Sequence, residues 1–269
     1  RPRGGAVSGS PTAGPAAGRA LLEVRDVVKR YGLFTALDGV TFGVGEGEFV
    51  SIIGPNGAGK TTLVNVLSGL TAPTSGEVLF HGRPVTDRSL GQRAALGLVR
   101  SFQLVTIFPA LTVAETLAVA VVSRLGRGRR LLAALARDAE VRAQVEEIAR
   151  LFGLHDRLDT RAGALAQGDK KLLDVASAVA LRPQVVLLDE PTSGVSTRDK
   201  HAVMEVLVAA ARRIGIRAII QVEHDMDIVF GYSDRIVALH QGRILADGPP
   251  AAIRADADVV ATVLGTPRT

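Results

Sequence analysis

Cysteine and tryptophan are absent from the 269 residues, and aromatic side chains make up 4% of them. With no cysteine the fold cannot depend on disulfides, and a reducing compartment suits such a chain. With few aromatics, the apolar 47% must build its core from Val, Leu, Ala and Ile. No apolar run reaches the ~18 residues that a membrane span requires, and the uncharged window Ser101 to Ala114 contains Pro109 and several polar groups. No bilayer-crossing segment is therefore expected. There is no internal repeat.

What is in excess is arginine, which sets a net charge of +5 and a pI near 10.1. A nucleic-acid surface and a plain solvated face both produce such a balance, and the acids interspersed nearly throughout favour the solvated face. The cluster Arg124 to Arg130, "RLGRGRR" with Leu125 inside it, has the same two readings, a contact to anionic lipid or a solvated loop, and the loop is preferred.

The length suits one large α/β core with an inserted or appended subdomain. Residues 1–20, rich in Gly, Pro, Ala and Ser without apolar periodicity, are expected to be a disordered lead or linker, lacking the long apolar core and cleavage pattern of a signal peptide. From Leu21, "LLEVRDVVKRYG" and "VTFGVGEGEFVSIIG" predict strands of a mixed sheet. About Leu104 to Ala164 the sequence turns helical, with Val141, Val145, Ile148 and Phe152 on one face. "PQVVLLDE" and "RAIIQVEHD" then predict buried parallel strands ending in acids, with a helix through Met204, Val206 and Leu207 between them.

"GPNGAGKTT" fits the phosphate-loop pattern and lies between the strand "FVSII" and the helix "TTLVNVLSG". Gly54, Gly57 and Gly59 let successive amides turn inward onto phosphate oxygens, and Pro55, Asn56 and Ala58 complete the loop. Lys60 is expected on the β- and γ-phosphates, the Thr61 hydroxyl on Mg²⁺, and Thr62 beside it. "VVLLDE" supplies Asp189 as the metal-side carboxylate and Glu190 as the general base for an attacking water. A strand-ending Asp-Glu pair alone would read as a solvated strand end; the upstream loop reverses that reading.

"GPNGAGKTT", "LAQGD", "VVLLDEPTSGVS" and "QVEHD", taken in that order and spacing, resemble an ABC-type ATPase cassette from about Leu21 onward. The resemblance implies an α/β P-loop (RecA-like) core over residues 21–269, with an N-terminal antiparallel β subdomain, an inserted α-helical subdomain at 104–164 and a C-terminal tail at 241–269. It also implies a dimer in which the phosphate loop of one subunit and the signature loop of the other close on the same ATP. By resemblance Tyr31 stacks on adenine, Gln103 reaches Mg²⁺ and the attacking water, and His224 contacts the γ-phosphate. His81, His155, His201 and His240 are read as satisfied polar groups. The family signature reads Leu-Ser-Gly-Gly-Gln. Leu165 and Gly168 keep it, whereas Ala166, Gln167 and Asp169 depart from it. Asp169 is expected to cap its own helix, with Lys170 and Lys171 offsetting its charge. Ser196 stands where the family usually has an aspartate facing the opposite subunit.

By the same resemblance, one cassette without a membrane span implies a separate ATPase subunit, or a detached domain, at the cytoplasmic face of the inner membrane. Its implied partners are integral-membrane permease subunits, a second ATPase subunit that is either a copy or a different chain, and an external solute-binding protein. "VEHDMDIVFGYSDRIVALHQGRILADGPPAAIR" and "DADVVATVLG" resemble the branched-chain (hydrophobic) amino-acid uptake group. Urea and short-chain amide importers are similar. A soluble cassette acting on nucleic acid and a nucleotide sensor that rarely hydrolyses are the alternatives from other classes. The sequence has neither the coiled-coil insertion nor the second cassette of the former, and Glu190 and His224 argue against the latter.

Overall fold

The computed structural model describes residues 20–101, 108–127 and 138–264. Among them are two sheets. One is four-stranded and antiparallel, in the order β2-β1-β4-β5, from Phe34–Val44, Leu22–Tyr31, Ser75–Phe80 and Arg83–Pro84. The other has the order β10-β9-β3-β8-β7-β6, from Arg243–Gly248, Arg235–His240, Phe49–Ile53, Ala218–Val222, Val185–Asp189 and Leu98–Arg100. It is parallel except for β10. The strands expected from Leu21 onward divide between an antiparallel sheet and the core sheet, in keeping with the antiparallel β subdomain that the resemblance implies: β3 leaves its sequence neighbours to become a central strand of the second sheet. Its five residues are all buried, as a strand covered on both faces requires.

The period of two along the central strands feeds separate cores. In β7, Val185 and Leu187 face a core shared with the antiparallel sheet, while Val186 and Leu188 face a core made with the helices. Helix α1, Lys60–Ser68, lies in the first core through Leu63, Val66 and Leu67 and ends at Gly69 in a left-handed conformation. Its last carbonyls have an unusual partner. Arg93, in α2 (Leu90–Leu96), is completely buried and donates to Val66 O at 2.7 Å, Leu67 O at 2.8 Å, Thr86 O at 2.9 Å and Arg88 O at 3.1 Å. Burial pushes this guanidinium down to about 10.

The helical layer contains α3 (Val113–Arg124), α4 (Ala139–Leu151), α5 (Gln167–Ala180) and α6 (Thr197–Ile214). Val141, Val145, Ile148 and Phe152 are buried together, as their spacing predicts. Of the arginine cluster, Arg127 pairs with Asp138 and Glu140, and Arg124 donates to Ala180 O and Gln144; residues 128–130 lie outside the described residues. The expected tail from 241 onward is partly sheet, since β10 pairs with β9 along the sheet edge. None of the described helices is long and apolar enough to cross a membrane.

Candidate nucleotide site

Parallel register brings the motifs to one edge of the sheet. Ile52 lies opposite Val222 and Val222 opposite Asp189, so the loops after β3, β8 and β7 leave side by side at the carboxyl ends of their strands. Residues far apart in sequence thereby become neighbours.

In the loop Gly54 to Thr62 the glycines are demanded by geometry. Gly54 has φ 153, and a Cβ there would lie 2.3 Å from Leu239 O; Gly59 has φ 104 and would meet Ala36 O at 2.6 Å. Gly57, at φ 80, faces open space. Ala58 is packed against the core, whereas Asn56 and Thr61 are exposed and Pro55 and Thr62 half-buried. Gly59 caps α1 without a side chain, and no acid occupies its first turn, so no side chain of the helix itself offsets its positive end. Lys60 is folded back into the loop, donating to Gly54 O at 2.7 Å and Pro55 O at 3.0 Å. Its burial lowers the ammonium pKa, an effect opposed by the negative charge of Glu190.

At the end of β7 the backbone turns sharply, and Glu190 takes φ 49, a left-handed conformation that costs a non-glycine residue about 1–3 kcal/mol. The turn delivers its carboxylate to the neighbouring loop, where Glu190 Oε1 lies 3.0 Å from His224 Nε2. The Glu190 carbonyl accepts from Lys171 Nζ at 3.1 Å, which ties this turn to α5. Asp189 has its own partner: Arg100 donates to Asp189 Oδ2 at 2.6 Å and to Asn65 Oδ1 at 2.6 Å. Beside them is a cavity of about 310 Å³, lined among the described residues by Arg100, Ser101, Lys171, Asp174, Val175, Asp189 and Pro191.

The signature segment starts α5 directly. Leu165 is buried, Ala166 is the N-cap without a side-chain bond, and Gln167 begins the helix. Asp169 therefore does not cap the helix as expected. It lies inside the first turn and pairs with Arg157 rather than with Lys170 or Lys171. The cap position belongs to Ala166, which has no side-chain oxygen, and a carboxylate three residues further on is already helical. Gly168 is helical too, and a Cβ on it would meet only Val203 Cγ2 at 3.7 Å. Ser196 caps α6 by position and donates to Asp199 Oδ2 at 2.6 Å. Tyr31 ends β1 on an exposed apolar edge with Leu33 and Phe34, its ring 5.0 Å from Lys29 Nζ. Gln103 lies outside the described residues.

The model of the family described as ABC transporter matches residues 37–193. The chain belongs to the ABC transporter family. The branched-chain amino acid transport ATP-binding protein LivG of Salmonella typhimurium is 38% identical over 91% of this chain and 98% of its own length. BraF of Pseudomonas aeruginosa, of the same description, is 35% identical over 92% of this chain and 98% of its own. Among solved structures, the ADP conformation of MJ1267, an ATP-binding cassette of an ABC transporter, is similar with a TM-score of 0.76 and 30% identity, covering 90% of this chain and 97% of that one.

As an ABC transporter cassette, the chain is an α/β nucleotide-binding ATPase. Its sequence motifs gave no role to Arg93 or Arg100, each a lone charged residue outside any spacing pattern, nor to Glu223, which lies inside "QVEHD" but reads there only as a strand-ending acid. For a divalent cation the expected donors are hard oxygens, the Thr61 hydroxyl and the Asp189 carboxylate. Among the described residues no group of three or more His, Cys, Asp or Glu is placed to hold a metal ion, so such a cation would also draw on phosphate oxygens and water. That mode of binding suits Mg²⁺.

Proposed function

We propose that this chain is the ATP-hydrolysing, energy-coupling subunit of an importer for branched-chain or other hydrophobic amino acids, working at the cytoplasmic face of the membrane. The observation that carries the hydrolytic reading is the 3.0 Å contact between Glu190 and His224 at the sheet edge where the phosphate loop emerges. The likeness to LivG and BraF supports the solute class.

In this reading Lys60 leaves the carbonyls of Gly54 and Pro55 for the β- and γ-phosphates, while the loop amides and the uncapped end of α1 hold their oxygens. Glu190 orients a water for in-line attack and takes its proton, and His224 holds the γ-phosphate side of that arrangement. Thr61, Asp189 and Gln103 would hold Mg²⁺, which supplies charge neutralisation when bound. Tyr31 provides a face for the adenine ring.

The segment Leu165 to Asp169 serves the nucleotide of a second ATPase subunit. Gly168 supports this role, because nothing among the described residues requires a glycine there and helix propensity disfavours one by about 1 kcal/mol. Ala166 lacks the family's hydroxyl, and Asp169 is held back by Arg157. We infer an asymmetric pair, in which a partner with a complete signature serves this chain's Lys60 site and receives a weaker one in return. Permease subunits and an external solute-binding protein complete the importer.

The test is ATP-driven uptake by the assembled complex in proteoliposomes, with leucine and urea as competing solutes. Glu190→Gln should lower hydrolysis at least about a hundredfold while ATP still binds. Uptake of urea in preference to leucine would overturn the solute class, and undiminished hydrolysis would overturn the role of Glu190.

A further inference from the structure

Glu223 precedes His224 and faces away from the sheet edge into the protein, with 4% of its surface exposed. Its two oxygens serve different loops. Oε1 accepts from the Thr192 N–H at 3.0 Å and also from the Thr192 hydroxyl. Oε2 accepts from the backbone N–H of His224 at 2.9 Å and of Asp225 at 3.4 Å. Thr192, itself 1% exposed, is two residues beyond Glu190. One buried carboxylate thus fastens the loop that carries Glu190 to the loop that carries His224, and it does so just behind the place where those side chains meet at 3.0 Å.

The chemistry of the clamp is specific to a carboxylate. All of its neighbours in these bonds are donors, and a carboxylate has only acceptor sites to offer them. A glutamine of the same shape would turn an NH₂ group toward either Thr192 or the His224 amide, breaking one side of the bridge. An aspartate is a methylene shorter and cannot span both loops. Hydrogen bonds to a charged acceptor are worth more than neutral ones, and in this dry position they resist displacement by water. The clamp also opposes relaxation of the left-handed turn at Glu190, which the backbone alone would not favour.

We propose that Glu223 is a positioning residue for ATP hydrolysis: it fixes the separation of Glu190 and His224 by holding the backbones of their two loops, without touching the nucleotide. The proposal rests on the hydrolytic reading of the site given above.

The test compares steady-state ATPase rates and ATP affinities of the full chain, assembled with its partners, for Glu223→Gln, Thr192→Val, Thr192→Ser, His224→Ala and the double variant Glu223→Gln/His224→Ala. Glu223→Gln should lower kcat about tenfold or more with ATP affinity changed less than about twofold. Thr192→Val should lower kcat in the same manner, and Thr192→Ser, which keeps the hydroxyl, should restore it. If Glu223 acts through His224, the double variant is no slower than the slower single variant; independent effects would multiply. The Thr192 pair leaves the carboxylate in place and keeps the idea testable if Glu223→Gln folds poorly. A wild-type rate in Glu223→Gln or Thr192→Val, a multiplicative double variant, or a loss confined to ATP affinity each overturns the proposal. A wild-type assembly without ATPase activity sinks the hydrolytic reading and the proposal with it, whereas an active wild type beside equally active variants sinks the proposal alone.

Discussion

Arg100 is the counter-charge of Asp189: the last residue of β6 reaches past the sheet edge to the last residue of β7 at 2.6 Å, and the same guanidinium holds Asn65 of α1. The carboxylate assigned to the metal is thus neutralised by the protein itself, in a pair whose arginine side chain is 10% exposed. Replacing Arg100 by Met should cost the nucleotide-free chain about 1–3 kcal/mol, read as a lower melting temperature. Adding ATP with Mg²⁺ should narrow the gap to wild type, since Asp189 then has a second counter-charge. A gap that stays constant would place Asp189 away from the cation.

The glycines of the site separate into two kinds. Gly54 is required by its own fold, because a Cβ would lie 2.3 Å from Leu239 O, so Gly54→Ala should lower the melting temperature by several degrees. Gly168 has room for a Cβ and helical backbone angles, so Gly168→Ala should keep or slightly raise the melting temperature. Its turnover in the assembled pair should nonetheless fall about tenfold, because the methyl group stands between the helix end and the partner's nucleotide. Full turnover in Gly168→Ala would remove the reason for assigning that helix end to a nucleotide.

These two residues mark the limit of what the sequence discloses. The phosphate loop, the acidic end of β7 and the histidine after β8 are local patterns, each a few residues long and flanked by the strand or helix that gives it meaning. The contacts of Arg93, Arg100 and Glu223 join residues 27, 89 and 31 positions apart, and nothing near any of them in sequence announces the partner. Asp169 was misplaced for a related reason. Its residue type suits a cap, but the helix begins two positions before it, and Arg157 lies in a turn that approaches only when the helical layer packs. The sheets show the same limit: strand character is local, while the departure of β3 from its neighbours is decided by which faces are buried.

Arg93 offers a test of long-range support for the phosphate loop. Its guanidinium closes the C-terminal end of the helix that starts at Lys60, donating to Leu67 O and adding a second donor to Val66 O, which also accepts from the Gly69 N–H at 3.2 Å. Arg93→Met should therefore lose about 3–5 kcal/mol in urea unfolding. Arg243→Met, which breaks the exposed pair with Asp38, should lose less than about 1 kcal/mol. Equal losses would deny the cap its role.

Lys60 makes ATP affinity depend on pH. In the free chain its ammonium is buried among loop carbonyls, and desolvation lowers its pKa despite the nearby charge of Glu190. Phosphate oxygens favour the charged form, so the pKa rises on binding. Below the depressed value the lysine is already protonated, and affinity should be flat with pH. Between that value and the higher one of the complex, binding must take up a proton, so affinity falls as pH rises, by at most about one decade per unit for a single group. Calorimetry in two alkaline buffers of different ionisation enthalpy would detect the uptake. Lys60→Met should lose both the affinity and the slope; the same slope in that variant would assign the proton to another group, and a flat profile in wild type would mean that Lys60 stays charged inside the empty loop.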